Sequence, residues 1–201
     1  MNQKVFILIG RSGCGKGTQA KLISERLKRT AAEAAGGNGD VLYIQCGAEF
    51  REFIKGDSVT QQLSAKAYAG GVLQPEFLAV HMWIGALVRG YKGNQHIILD
   101  GAPRKFHEAG VLDSIFDFYG LGKPYVINID VSKEWATARL LGRGRQDDTK
   151  GDVESRMAWY EKEVVPTLEF FRTNPKYEFV QVNGERAVAE VFADVAEKAG
   201  I

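Results

Sequence analysis

The apolar run Val5-Phe6-Ile7-Leu8-Ile9 leads directly into Gly10-Arg11-Ser12-Gly13-Cys14-Gly15-Lys16-Gly17-Thr18, and this junction limits the folds open to the chain. Five consecutive apolar residues without polar alternation make a strand buried on both faces, which belongs in the middle of a parallel sheet. Glycines at 10, 13, 15 and 17 let successive backbone N–H groups turn inward without obstruction from a Cβ atom. A helix starting at Lys16 adds the positive end of its dipole at the same place. Strand, glycine loop and helix in this order form a cradle for phosphate oxygens. Gly13, Cys14, Gly15, Lys16, Gly17 and Thr18 are therefore the expected contacts of a nucleoside triphosphate, with Lys16 reaching its β and γ oxygens. Gly17 intervenes between the lysine and the hydroxyl residue, so Thr18 is the candidate that supplies an oxygen to Mg²⁺.

The rest of the chain repeats the alternation of strand and helix. Apolar runs at Val41 to Ile44, His96 to Leu99, Tyr125 to Ile129 and Tyr177 to Val182 read as further buried strands, separated by segments of helical periodicity. The first helix is predicted over Lys16 to Ala35, running out into an Ala-Gly-rich loop, Ala34 to Gly39, that carries no chemistry. Between Gly47 and Tyr91 no strand is evident, only helical stretches broken at Gly56, Gly70-Gly71 and Pro75. A helical insertion should project there between two strands. From Asp147 to Phe171 a long helical pattern is interrupted by Pro166, which must lose a backbone hydrogen bond and is expected to kink the helix.

At 201 residues, 45% hydrophobic and 25% charged, the chain suits one globular domain with small appended flaps. Lys plus Arg number 26 against 25 Asp plus Glu, a formal charge of +1, so no global field points to nucleic acid or an anionic membrane. Anion binding has to be local. The N-terminal apolar run is too short for a signal peptide, and nothing approaches the ~18 apolar residues of a membrane span. A cytoplasmic monomer is expected. Cys14 and Cys46 form no C-x-x-C pair and the three histidines are scattered, so free thiols and no zinc are expected.

Gly-x-Lys-Gly-Thr, continued by Gln19, resembles the adenylate kinase family of nucleoside monophosphate kinases, and four further segments match that family in order. The resemblance implies a P-loop NTPase fold, a three-layer α/β/α sandwich on a five-stranded parallel sheet. Its core would cover residues 1–45, 76–141 and 149–201, with a helical flap for the monophosphate at 46–75 and a minimal lid at 142–148. ATP with Mg²⁺ would be the phosphoryl donor and a nucleoside monophosphate the acceptor.

Asp100-Gly101-Ala102-Pro103-Arg104 resembles the family's Asp-Gly-Phe-Pro-Arg. By that resemblance Asp100 holds Mg²⁺ through water, Arg104 grips the phosphate of the acceptor and Gly101 lies beside it. Ligands of open α/β sheets bind beyond the carboxyl ends of strands, where Asp100 falls, and a guanidinium fork matches phosphate oxygens. Cys46-Gly47-Ala48-Glu49-Phe50-Arg51 is similar to Thr-Gly-Asp-x-x-Arg, making Cys46, Gly47 and Arg51 acceptor contacts while lacking the family's hydroxyl and carboxylate. Val72 and Leu73, after Gly70-Gly71, would lie against the acceptor base. Glu108 stands where the family has a glutamine that reads adenine. An ionised carboxylate there would accept from the adenine amino group but oppose the N1 lone pair, whereas it satisfies the N1–H of guanine or hypoxanthine. Alternatively Glu108 points to water from its helix. AMP is the expected acceptor on overall similarity, with GMP or IMP, and after them UMP or CMP, as variants.

Arg139, Arg143, Arg145 and Arg156 with Asp147 and Asp148 resemble the family's lid elements. Phosphoryl transfer depends on positioning and on positive charge around the transferred group. Arg143, Arg145 and Arg156 would supply that charge, Arg139 would stack on the donor adenine, and Asp147 and Asp148 would hold the lid arginines. Two other readings of the chain are a P-loop kinase of a small alcohol and a nucleotide-binding module without turnover. The first needs a general base near the acceptor, where Arg51 and Arg104 instead suit a phosphate. Only Gly144 separates Arg143 from Arg145, so the lid is shorter than even the family's short forms and should exclude water less well. ATP incubated without acceptor should therefore release inorganic phosphate at a measurable rate, faster than with long-lid relatives; no detectable release would contradict this.

Overall fold

The computed structural model describes residues 3–33, 39–145 and 148–201. Strand β1 (Val5–Ile9) is buried along its whole length, as its composition demands. Val5, Ile7 and Ile9 join one apolar cluster and Phe6 and Leu8 another, so the strand separates two cores. It pairs in parallel with β3 (His96–Asp100) on one side and β4 (Tyr125–Asp130) on the other. With β2 (Val41–Gln45) and β5 (Glu178–Asn183) at the edges, the sheet has the order β2-β3-β1-β4-β5 and every pairing is parallel.

Helices α1 (Lys16–Glu33) and α9 (Val188–Ala199) cover one face, where Ile23, Leu27, Val191 and Val195 meet Phe6, Leu8 and Ile98. On the other face, α4 (Glu76–Gly90), α5 (Phe106–Tyr119) and α8 (Val165–Thr173) bring Trp83, Leu112 and Phe171 against Ile7, Ile97 and Leu99. This is the three-layer α/β/α sandwich of a P-loop NTPase, with β1 and its following loop at its centre. The loop expected at Ala34 to Gly39, and the last two residues of the first predicted helix, fall largely on residues 34–38, outside the described ones.

Between β2 and β3 the chain is helical, as its glycines and Pro75 suggest. Helices α2 (Cys46–Phe53) and α3 (Val59–Ala69) break at Gly56 and at Gly70-Gly71, and Phe50 packs on Leu78 and Met82 of α4. The Ser58 side chain accepts from Gln61 and the Gln61 side chain returns a bond to Ser58, a reciprocal cap that starts α3 after the break. Between β4 and β5, α6 (Lys133–Arg143) is followed by α7 (Lys150–Trp159), a π-helical turn (Tyr160–Val164) and α8. Pro166 has no N–H to donate and its ring crowds the preceding turn. The interruption expected there takes the form of that wide turn, which ends one residue before α8 begins, with Pro166 in the first turn of α8.

Candidate active site

The glycine loop sits at the carboxyl end of β1, packed so closely there that Gly10 leaves no room for a side chain. Gly10 has φ 147°, and a Cβ there would lie 2.5 Å from the Ile129 carbonyl oxygen and 2.8 Å from Cys14 Sγ. The Lys16 ammonium donates to the carbonyls of Gly10 at 2.8 Å and Arg11 at 3.0 Å, with Cys14 Sγ at 3.6 Å. Arg11 in turn is anchored outside the loop. It donates to the Val131 carbonyl at 2.8 Å, pairs with Glu161 and lies 4.4 Å from the ring centre of Tyr160.

One cleft of about 1060 Å³ opens over this loop. Gly13, Gly15, Lys16, Gly17 and Thr18 line it, as do Cys46, Gly47, Arg51, Val72, Leu73, Asp100, Gly101, Arg104, Glu108, Arg139, Arg143, Arg145 and Arg156. Segments predicted separately from the sequence therefore converge. Cys14 does not line the cleft: its side chain is buried beneath the loop, and its amide donates to the Arg11 carbonyl at 3.1 Å. Its contribution is to the packing of the loop and to the resting place of Lys16. Asp147 lies outside the described residues.

Asp100 is buried at the end of β3, where Tyr43 Oη donates to its Oδ2 at 2.8 Å and Gln45 Nε2 at 3.2 Å. Burial, reinforced by the Asp100 charge and hydrogen bond, raises the Tyr43 hydroxyl well above its usual range and keeps it a donor. A Cβ on Gly17 would stand 3.2 Å from Gln45 Nε2 and 3.4 Å from Asp100 Oδ2, so α1 starts close beside this carboxylate. Tyr43 and Gln45 were not foreseen. They alternate along β2, and Gln45 lies opposite Asp100 only because β2 pairs with β3, which no local pattern announces.

Arg104 is held at its backbone and at the root of its guanidinium. Its amide donates to Glu108 Oε2 at 3.0 Å, its carbonyl accepts from Thr167 Oγ1 at 3.2 Å, and its Nε donates to the Gly101 carbonyl at 2.8 Å. Glu108 thus does not point to water: it is 2% exposed, turned back over the start of α5 with its carboxyl on the cleft. Burial outweighs the Arg104 amide and charge and raises its pKa above the ordinary value of 4.5. Cys46, also buried, has its thiol pushed up to about 12 and remains neutral.

Two of the cleft arginines share one carboxylate. Asp148 receives both Nε and Nη2 of Arg143, the latter at 2.9 Å, and Nη1 of Arg156 at 3.0 Å, while its own side chain is 1% exposed. Asp148 thus accepts from two of the cleft arginines at once. The Arg139 guanidinium lies 4.6 Å over the Trp135 ring, a partner not expected from sequence, and so presents a stacked, oriented cation to the cleft. Among the described residues that line the cleft, eight are Lys or Arg and three are acidic, Glu25, Asp100 and Glu108. A chain of net charge +1 has concentrated its cations where a polyanion fits.

Sheet order, glycine loop and a cation-lined cleft define the class as a P-loop NTPase fold. Residues 8–176 match the family model described as adenylate kinase. An adenylate kinase of Mycolicibacterium smegmatis is 34% identical over 188 residues, 93% of this chain and 94% of the relative. One from Corynebacterium aurimucosum is 32% identical over 167 residues, 83% of this chain and 84% of the relative. Adenylate kinase 1 of Nostoc sp. is 28% identical over 187 residues, 92% and 93% of the two chains. The chain belongs to the adenylate kinase family.

Because folded Glu108 holds its proton to higher pH than the unfolded chain does, the native state binds more protons in the window from about 4.5 up to its raised value. Stability contributed at this site is present below that window and lost as pH rises through it. Glu108→Gln, which can still accept from the Arg104 amide, should match the parent's stability below pH ~4.5 and exceed it at neutral pH. Denaturant melts across pH check this; an equal difference at all pH values would contradict it.

Proposed function

We propose that the chain transfers the γ-phosphoryl group of ATP to AMP, reversibly, giving two ADP. The observation that carries this reading is the convergence of Arg51, Arg104, Arg143, Arg145 and Arg156 with Lys16 on one cleft. An acceptor phosphate brings its own anionic oxygen as nucleophile and needs no general base, only cations that offset its repulsion from the γ-phosphate. Arg104 and Arg51 would hold the acceptor phosphate. Lys16 and the amides of Gly13, Gly15 and Gly17 would hold the donor, with Arg139 against its base. Arg143, Arg145 and Arg156 would surround the group in transit, and Asp148 keeps two of them at one point.

The donor set at Thr18 and Asp100 suits Mg²⁺. Both groups are hard oxygens on the cleft, and the Tyr43 and Gln45 bonds fix one oxygen of the carboxylate. Magnesium takes one or two carboxylates with phosphates and waters, and when bound it offsets charge on the triphosphate. Among the described residues no group of three or more His, Cys, Asp or Glu could itself hold a metal, which leaves an ion carried largely by nucleotide. No described helix is long and apolar enough to cross a membrane. A monomer working in the cytoplasm, with no nucleic acid or membrane partner, completes the proposal.

Glu108 decides how AMP is read. As a neutral acid it offers one donor and one acceptor, the pair that the N1 and amino group of adenine require; ionised, it suits the N1–H of a 6-oxopurine. Initial rates with AMP, GMP, IMP, CMP and UMP at fixed ATP test the reading, with AMP expected fastest. Glu108→Gln should widen the preference for AMP over GMP by roughly tenfold to a hundredfold at neutral pH. A pyrimidine preference, or no turnover of any monophosphate, would sink the proposal.

A further inference from the structure

Side chains of one short stretch, where α7 passes into the π-helical turn, reach three separate parts of the site. Arg156 donates to Asp148 at 3.0 Å, while Tyr160 and Glu161 hold Arg11 of the glycine loop. Between them Trp159 does two things at once. Its Nε1 donates to the Gly71 carbonyl at 3.2 Å, and the Arg104 guanidinium carbon lies 5.4 Å from its ring centre. The approach of the two segments is close: a Cβ on Gly71 would stand 2.8 Å from the Asp152 Cα on α7.

The wide turn explains how this is built. Trp159 and Val164 both line a small cavity against Gly10 and Lys16. Residues five apart are about 140° apart around an α-helix, whereas i→i+5 bonding brings such a pair to one side. The contacts of Arg104 with Glu108, Thr167 and Gly101 fix its backbone and the root of its guanidinium. The outer part of the fork is left to the ring beside it.

We propose that Trp159 is a positioning residue for the acceptor phosphate: its ring orients the Arg104 guanidinium, and its indole N–H ties the Gly71 end of segment 46–75 to the same spot. This rests on the phosphoryl-transfer reading above. A tryptophan suits the task because it joins a broad ring face to one donor at its edge. Phenylalanine would keep a ring face and lose the donor; alanine would lose both.

Steady-state phosphoryl transfer is measured with AMP varied at saturating ATP, and with ATP varied at saturating AMP, for the parent, Trp159→Phe and Trp159→Ala. Trp159→Phe should raise the KM for AMP roughly threefold to tenfold and Trp159→Ala roughly tenfold or more, both leaving the KM for ATP within about twofold. An unchanged KM for AMP in Trp159→Ala overturns the proposal. So does an equal rise in both KM values, which is what general loss of packing gives. Thermal melts accompany the kinetics, and if Trp159→Ala does not fold, Trp159→Phe carries the test alone. A parent that fails to phosphorylate AMP rejects the underlying reading of function instead, so the two failures are told apart.

Discussion

Everything at this site depends on the glycine loop being held in one shape by what lies beneath it. Strand β1 is locked between two apolar cores, and Gly10 emerges from it against the Ile129 carbonyl with no space for a side chain. Cys14 fills the underside, Arg11 is tied to Val131, Tyr160 and Glu161, and the carbonyls of Gly10 and Arg11 hold the Lys16 ammonium. The loop can therefore present amides and a cation without paying for their ordering when a nucleotide arrives, which is the condition under which fixed dipoles and charges contribute most to a transition state.

A second constraint is electrostatic. Eight cationic side chains around one cleft repel one another, and the fold meets this with few and well-placed carboxylates. Asp148 binds Arg143 and Arg156 together from a side chain 1% exposed. A carboxylate so buried is tolerated only when paired, and removing one partner of such a group costs about 3–5 kcal/mol. Asp100 is restrained in the same spirit by two neutral donors, Tyr43 and Gln45, which fix one of its oxygens without cancelling its charge. Glu108 is the exception: among the described residues it has no cationic side chain bonded to it, and burial raises its pKa above the ordinary carboxylate value.

Much of this was legible in the amino-acid order because it is local. The run Val5 to Ile9 followed by glycines at fixed offsets specifies strand, loop and helix with no knowledge of distant residues, and Asp100 to Arg104 is likewise one strand end and its turn. The breaks at Gly56, Gly70-Gly71 and Pro75 likewise fall between the helices of segment 46–90. What stayed hidden depends on pairing between segments. Tyr43 and Gln45 acquire a role only once β2 is known to lie beside β3. The side chain of Glu108 could equally have faced water until the Arg104 amide was found turned toward it. Pro166 announced an interruption, yet not that it would take the form of a π-helical turn upstream, directly after Trp159 on the cleft wall.

The central claim is that Lys16, poised by the loop beneath it, supplies charge to the phosphoryl group as it moves. Lys16→Ala removes that charge and leaves the packing of β1 and Cys14 in place. Coupled measurement of ADP formation from ATP and AMP should show a fall of roughly a hundredfold or more, with the thermal midpoint close to the parent's. A variant that folds and still turns over within tenfold of the parent would contradict the account.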